Sequence, residues 1–136
     1  MREIKFRAWL KEDKKMVNVE TMDFTDKSIQ YLKKSEINNA YILRRESFDD
    51  VELMQYTGLT DKNDTGIYEG DIVLVKSGGI STWYRTVIKF KEGGFIAGLI
   101  NEENYFYIFN PGFDSDDFKV VGNIYENKNL LEENNG

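Results

Sequence analysis

The 136-residue chain contains no cysteine and no histidine. The first absence removes disulfides and thiolate nucleophiles, and it leaves the redox compartment open. The second removes imidazole general-base catalysis and Ser-His-Asp triads, and the two together remove zinc sites built on Cys and His. One proline and eleven glycines are far from a low-complexity or collagen-like composition. The chain opens Met-Arg-Glu-Ile-Lys, which is not a signal peptide, and no later run approaches the length of a membrane span. A cytoplasmic, soluble protein is the expectation. No glycine-rich phosphate loop occurs anywhere, and no cofactor is expected.

What is present is aromatic surface and alternation. Aromatic residues make up 14% of the chain, and large rings supply much of the buried area of a short β protein. The length suits one domain, or a small barrel with an additional sheet. The net charge of −6 is concentrated at one end. Residues 1–101 hold sixteen acids and sixteen bases, whereas residues 102–136 hold eight acids against Lys119 and Lys128. Phosphate binding rests on Lys and Arg displacing counterions, so this balance disfavours a nucleic-acid-binding surface over the whole molecule. A local basic face is compatible with it.

Along the chain the dominant period is two. Ile4, Phe6, Ala8 and Leu10 alternate with Lys5, Arg7 and Trp9, and after the charged reversal at 11–15 a second short strand over 16–20 completes a hairpin. Trp9, between two cations, is a candidate stacking platform for a base or peptide, or else packs under a neighbouring segment. Residues 21–51 carry a weaker signal, with strands expected at 29–32 and 41–43, although the first half is equally compatible with a helical turn. Arg44 and Arg45 stand beside Glu46, Asp49 and Asp50, a pattern of surface ion pairing. In 82–90, Tyr84, Thr86, Ile88 and Phe90 form the expected core set. Trp83, Arg85 and Lys89 line the opposite side beside Gly78-Gly79 and form, with Trp9, the candidate binding face. Strands are also expected over 95–99, over 105–109, either covered on both sides or placed at an interface, and over 118–125. A helical turn capped by an Asn should close the chain at 127–133. The acids Asp114, Asp116 and Asp117 read as a solvated loop, and no metal site is expected.

Residues 53–75 organise the whole. Leu53, Gln55 and Thr57 alternate as a strand, 61–66 concentrates turn-forming residues, and Gly70-Asp71 introduces the β-branched run 72–75. Asp61, Asn63, Thr65, Gly66 and Glu69 imitate the opening of an EF-hand calcium loop. The imitation fails at the twelfth position, where Ile72 replaces the bidentate Glu, and in the flanks, which read as strands rather than helices. Asp61, Asn63, Gly66, Gly70 and Asp71 are therefore expected to shape turns.

Several segments together resemble the YopX family of phage and prophage proteins. They are Phe6-Arg7-Ala8-Trp9, Lys14-Lys15-Met16, residues 54–59, Asp61-Lys62-Asn63, residues 67–73, and residues 122–127 with Leu130-Leu131. Leu10, Asp64-Thr65-Gly66 and Lys128-Asn129 depart from the family's usual residues. The resemblance implies an all-β chain: an SH3-like small barrel in the C-terminal part, an N-terminal β-hairpin subdomain, and a short C-terminal helical turn. It places the subdomains at 1–52 and 53–136, or joins them in one domain over 1–136. It implies no catalytic residues. The expected function is that of a non-enzymatic accessory protein in the host cytoplasm that binds a phage or host protein, with homo-oligomer formation open. The alternative is a nucleic-acid-binding β-barrel.

Overall fold

The structure is a computed structural model and describes residues 2–76 and 81–132. The expected loop at Gly78-Gly79 and the fraying tail at 134–136 lie outside the described residues. Twelve strands and three short 3-10 turns make up the regular structure of those residues, with no α-helix among them. The contacts group Ile4–Gln55 in one unit and the rest of the chain in the other, so that the division after Gln55 falls inside a single long strand.

The N-terminal unit contains β1 (Phe6–Leu10), β2 (Lys15–Asn18), β3 (Thr21–Asp23), β4 (Ser28–Lys34), β5 (Tyr41–Ser47), a 3-10 turn at Phe48–Asp50, and the first half of β6 (Val51–Thr60). β1 pairs antiparallel with both β2 and β6, and β3, β4 and β5 form a separate three-stranded sheet. Alternation decides what is buried: Ala8 and Leu10 from β1 meet Ile29 and Tyr31 from β4, with Val51 completing the cluster. The stretch with the weakest sequence signal thus forms three strands and a 3-10 turn, and β3 was not expected. Tight reversals at Lys14 and Lys27, both with φ near +54°, join β1 to β2 and β3 to β4.

The C-terminal unit takes up β6 from Tyr56 and adds β7 (Gly66–Tyr68), β8 (Asp71–Lys76), β9 (Trp83–Lys91), β10 (Gly94–Leu99), β11 (Tyr105–Tyr107), a 3-10 turn at Ser115–Asp117, β12 (Phe118–Asn123), and a 3-10 turn at Lys128–Leu131. β8 to β11 form an antiparallel meander, and β12 returns through its 3-10 turn to pair with β8. This is the strand order of an SH3-like half-barrel. Ile67, Val73, Val75, Ile88, Phe95, Ala97, Ile108 and Phe118 fill its core.

Three local expectations need correction. Tyr84 and Phe90, expected in the core, are exposed, because they sit at the ends of β9 and reach the core only by ring contacts with Phe106 and Phe95. The run 105–109 is a strand only through Tyr107; the chain then turns, which buries Ile108 and leaves Tyr107 and Phe109 exposed rather than covered on both faces. Asn127 precedes the last 3-10 turn but does not cap it with its side chain; its Oδ1 instead accepts from the Asn123 N–H at 3.1 Å.

Candidate interaction face of the C-terminal sheet

The signature turn is built around one carboxylate. Asp61 is only 2% exposed, and its Oδ1 accepts from the N–H groups of Asn63 and Thr65, each at 2.9 Å. Oδ2 accepts from the Val120 N–H, also at 2.9 Å. Burial pushes its pKa up, but the backbone donors from Val120, Thr65 and Asn63 outweigh that, and the net result lies below the ordinary carboxylate value. Both oxygens are thereby committed to the backbone, which explains why a calcium-like pattern occurs in a turn. Gly66 leaves room for the Tyr56 ring, which a Cβ there would approach to 3.0 Å.

The second half of the signature behaves alike. Buried Asp71 accepts from the Tyr68 N–H at 2.8 Å across the Glu69-Gly70 turn, where Gly70 has φ +83°. The Gly70 N–H and C=O bond to the Ile88 carbonyl and the Ile124 N–H, both at 2.9 Å, so this turn is held between β9 and the exit of β12. Asn123 closes the turn that follows β12 by accepting from the N–H groups of Tyr125 and Glu126. The acids Asp114 and Asp117 likewise form a reciprocal capping box on the 3-10 turn before β12. Among the described residues no group of three or more acids is placed to hold a metal ion.

With these polar groups turned inward, the outer face of the half-barrel carries the exposed chemistry. Val73, Val75, Thr86 and Ile88 point to the core, so alternation sends Lys76, Trp83, Arg85 and Lys89 to the other side. The register places Lys76 directly opposite Trp83, and Leu74 between Arg85 and Lys119. The Lys76 ammonium lies 5.9 Å from the centre of the half-buried Trp83 ring, and that of Lys62 lies 5.7 Å from it. Lys62 arrives there because its N–H donates to the Phe118 carbonyl, 2.9 Å away, which docks the signature turn on β12.

Arg85 is partly committed. Its Nη1 donates to the Leu130 carbonyl at 3.2 Å and so ties the C-terminal 3-10 turn to this face. Leu131 joins Val87, Lys89, Gly98 and Glu102 around an open depression of about 530 Å³. Farther along, Lys91 lies 4.7 Å from the centre of the Tyr105 ring.

Of the four residues expected to form a binding face, Trp83, Arg85 and Lys89 share one side of β9, whereas Trp9 belongs to the N-terminal unit, on β1 opposite Met16 and Glu52. Lys62 and Lys76 were not singled out in the sequence. Lys76 could have been found by pairing the two strands around Gly78-Gly79. Lys62 could not, because its place depends on a turn docking against a strand far away in sequence.

A meander closed by a returning strand, with its signature polar residues spent on turns and a cation-flanked ring outside, defines the C-terminal unit as a small half-barrel. The YopX protein family model matches residues 5–132, and the chain belongs to that family. It is similar to the solved structure of protein EF1440 from Enterococcus faecalis, with 25% identity, a TM-score of 0.63, and coverage of 97% of this chain and 100% of that one. It is also similar in fold to the protein YopX from Bacillus subtilis, with 16% identity, a TM-score of 0.61, and coverage of 94% and 98%. No curated protein matches the chain.

Proposed function

We propose that this chain is a non-enzymatic accessory protein of a phage or prophage, working in the host cytoplasm, whose C-terminal sheet binds an acidic segment of a phage or host protein. The observation that carries the reading is Trp83, a half-buried ring with Lys62 and Lys76 at 5.7 and 5.9 Å. A rigid aromatic held in place by its own strand loses little entropy on binding, and Trp and Arg are the residue types most enriched among binding hot spots. Carboxylates of a partner fit the surrounding Lys62, Lys76 and Lys119. The non-enzymatic part of the reading is supported by the missing Cys and His and by the commitment of Asp61, Asp114 and Asp117 to backbone donors.

A single-stranded nucleic acid is the second reading, favoured by the same ring among the same cations, since base stacking and phosphate contacts need both. Purification of the tagged chain from phage-infected or prophage-bearing cells, with and without nuclease, separates the two. The expected result is a stoichiometric protein that survives nuclease and is lost with Trp83→Ala and with the pair Lys62→Glu, Lys76→Glu. Retention of nucleic acid, with proteins lost on nuclease treatment, establishes the second reading instead. A partner indifferent to all three substitutions sinks both.

A further inference from the structure

A separate feature of the N-terminal unit points to a different contact. β5 is the outer strand of the sheet β3-β4-β5, and the phase of its hydrogen bonds can be fixed at both ends. Ser35 donates to the Ala40 carbonyl at 2.7 Å and Phe48 to the Lys27 carbonyl at 2.9 Å, both in the register that pairs Leu32 with Leu43. Bonded and non-bonded pairs alternate in an antiparallel ladder. Ile42, Arg44 and Glu46 therefore spend their backbone groups on β4, and Tyr41, Leu43, Arg45 and Ser47 direct theirs outward. Among the described residues no strand or backbone bond meets that edge.

The edge has few of the usual protections. It contains no proline and no bulge, and it is seven residues long. Its three charged residues, Arg44, Arg45 and Glu46, stand together in its second half, with the Arg45 Nη1 paired to Asp26 at 3.1 Å, and Tyr41, Ile42 and Leu43 in the first half carry no charge. The apolar residues on it are unusually bare: Tyr41 is 65% exposed, and Ile42 and Leu43 are each 49% exposed. Leu32, 46% exposed, stands directly across from Leu43, so the two leucines make an apolar row that runs across the sheet and stops at the edge.

We propose that the occupant of this edge is a second copy of the chain, paired antiparallel through β5 about a two-fold axis at Leu43. Two three-stranded sheets then become one of six strands. In that register Leu43 meets Leu43 of the second copy, and the row continues as Leu32, Leu43, Leu43, Leu32. Tyr41 faces Arg45 of the second copy, a ring against a guanidinium, and Ile42 faces Arg44. An axis one residue further on, at Arg44, sets two Arg44 side chains against each other at the closest spacing of an antiparallel pair and is excluded by charge. The edge thus complements itself in the isologous sense that a two-fold dimer requires.

Light scattering over a concentration series should find a reversible dimer, and Leu43→Arg should weaken its association at least about tenfold, by the same opposition of like charges. Leu43 is half-exposed, so the variant should keep the wild-type circular dichroism spectrum. A second variant provides an independent readout, because the natural chain has no cysteine. In Leu43→Cys the two Cα atoms at the axis stand about 5.5 Å apart, within the disulfide range of roughly 4.4–6.8 Å. Mild oxidation should cross-link it in high yield, and should leave Glu46→Cys, which faces Ala40 in that register, largely uncross-linked. A chain that is monomeric at every concentration overturns the proposal. So does a dimer that withstands Leu43→Arg and whose Leu43→Cys variant does not cross-link.

Discussion

Asp61 and Val120 lie 59 residues apart in sequence and are joined by a 2.9 Å hydrogen bond from the Val120 N–H to the Asp61 carboxylate. Because the other carboxylate oxygen gathers the turn's own N–H groups, one side chain fixes the shape of the signature turn and its attachment to β12. That attachment also delivers Lys62 to the Trp83 ring. The side chain that resembles a metal ligand in the sequence thus positions the candidate face without being part of it.

Replacing Asp61 with Ala should cost about 3 kcal/mol, since it leaves buried N–H groups without a charged acceptor. The effect should depend on pH. The folded carboxyl titrates below its unfolded value of about 3.9. Its stabilisation is therefore complete above that value and is lost as pH falls from there through the depressed folded pKa. Urea unfolding of wild type and Asp61→Asn should show a stability difference that narrows between pH 7 and pH 3. A difference that stays constant over this range would contradict the assignment.

Gly122 and Asn127 form a tight pair. A Cβ on Gly122 would run into the Asn127 Oδ1 and lie 2.9 Å from the Asn127 Cβ. Gly122→Ala should destabilise by about 1–3 kcal/mol, the usual range for overpacking. Its cost should fall by at least about half in an Asn127→Gly background, which a double-mutant cycle by thermal unfolding would detect.

Thr57 holds the irregular point of β6, where Gly58 adopts φ +90° and the pairing with β7 shifts register. Its Oγ1 donates to the Ile67 carbonyl at 2.7 Å and accepts from the Leu59 N–H at 3.1 Å. Thr57→Val keeps the shape and removes both bonds, for an expected loss of about 2 kcal/mol in chemical denaturation. Thr57→Ser should lose less, because the hydroxyl remains.

Tyr107 gives a prediction that is independent of stability. Its hydrogen bond with Tyr105, with hydroxyl oxygens 3.3 Å apart, raises its pKa above the ordinary phenol value, and the charge of Tyr105 adds to that. Tyr105→Phe should bring the Tyr107 titration back down, as followed by the pH dependence of its ring NMR signals. An unchanged titration would place the cause elsewhere.

Much of the fold was legible because a two-residue period reports one buried face whatever the partner strand is. Ala8 and Leu10, Thr86 and Ile88, and Val73 and Val75 all lie inside. The failures have a common origin. Tyr84 and Phe90 obey the same alternation as Thr86 and Ile88, yet they run past the end of the core, and the length of a core along a strand is set by its neighbours. β3 and β7, of three residues each, are too short to show a period at all. The candidate face was half legible: Trp83, Arg85 and Lys89 follow from one strand's alternation, whereas Lys62 depends on Asp61 reaching Val120.

The sequence by itself determined the all-β class, the absence of thiol and imidazole chemistry, the turn character of 61–66 and the family resemblance, because each of these rests on composition or on interactions between near neighbours in the chain. Only the tertiary structure decided that Asp61, Asp71 and Asn123 are spent on backbone donors and that two lysines flank Trp83. It also decided that β5 is left as the outer strand of its sheet. These depend on which segments meet across tens of residues, and a meeting of that kind is decided by the packing of two cores rather than by any local pattern.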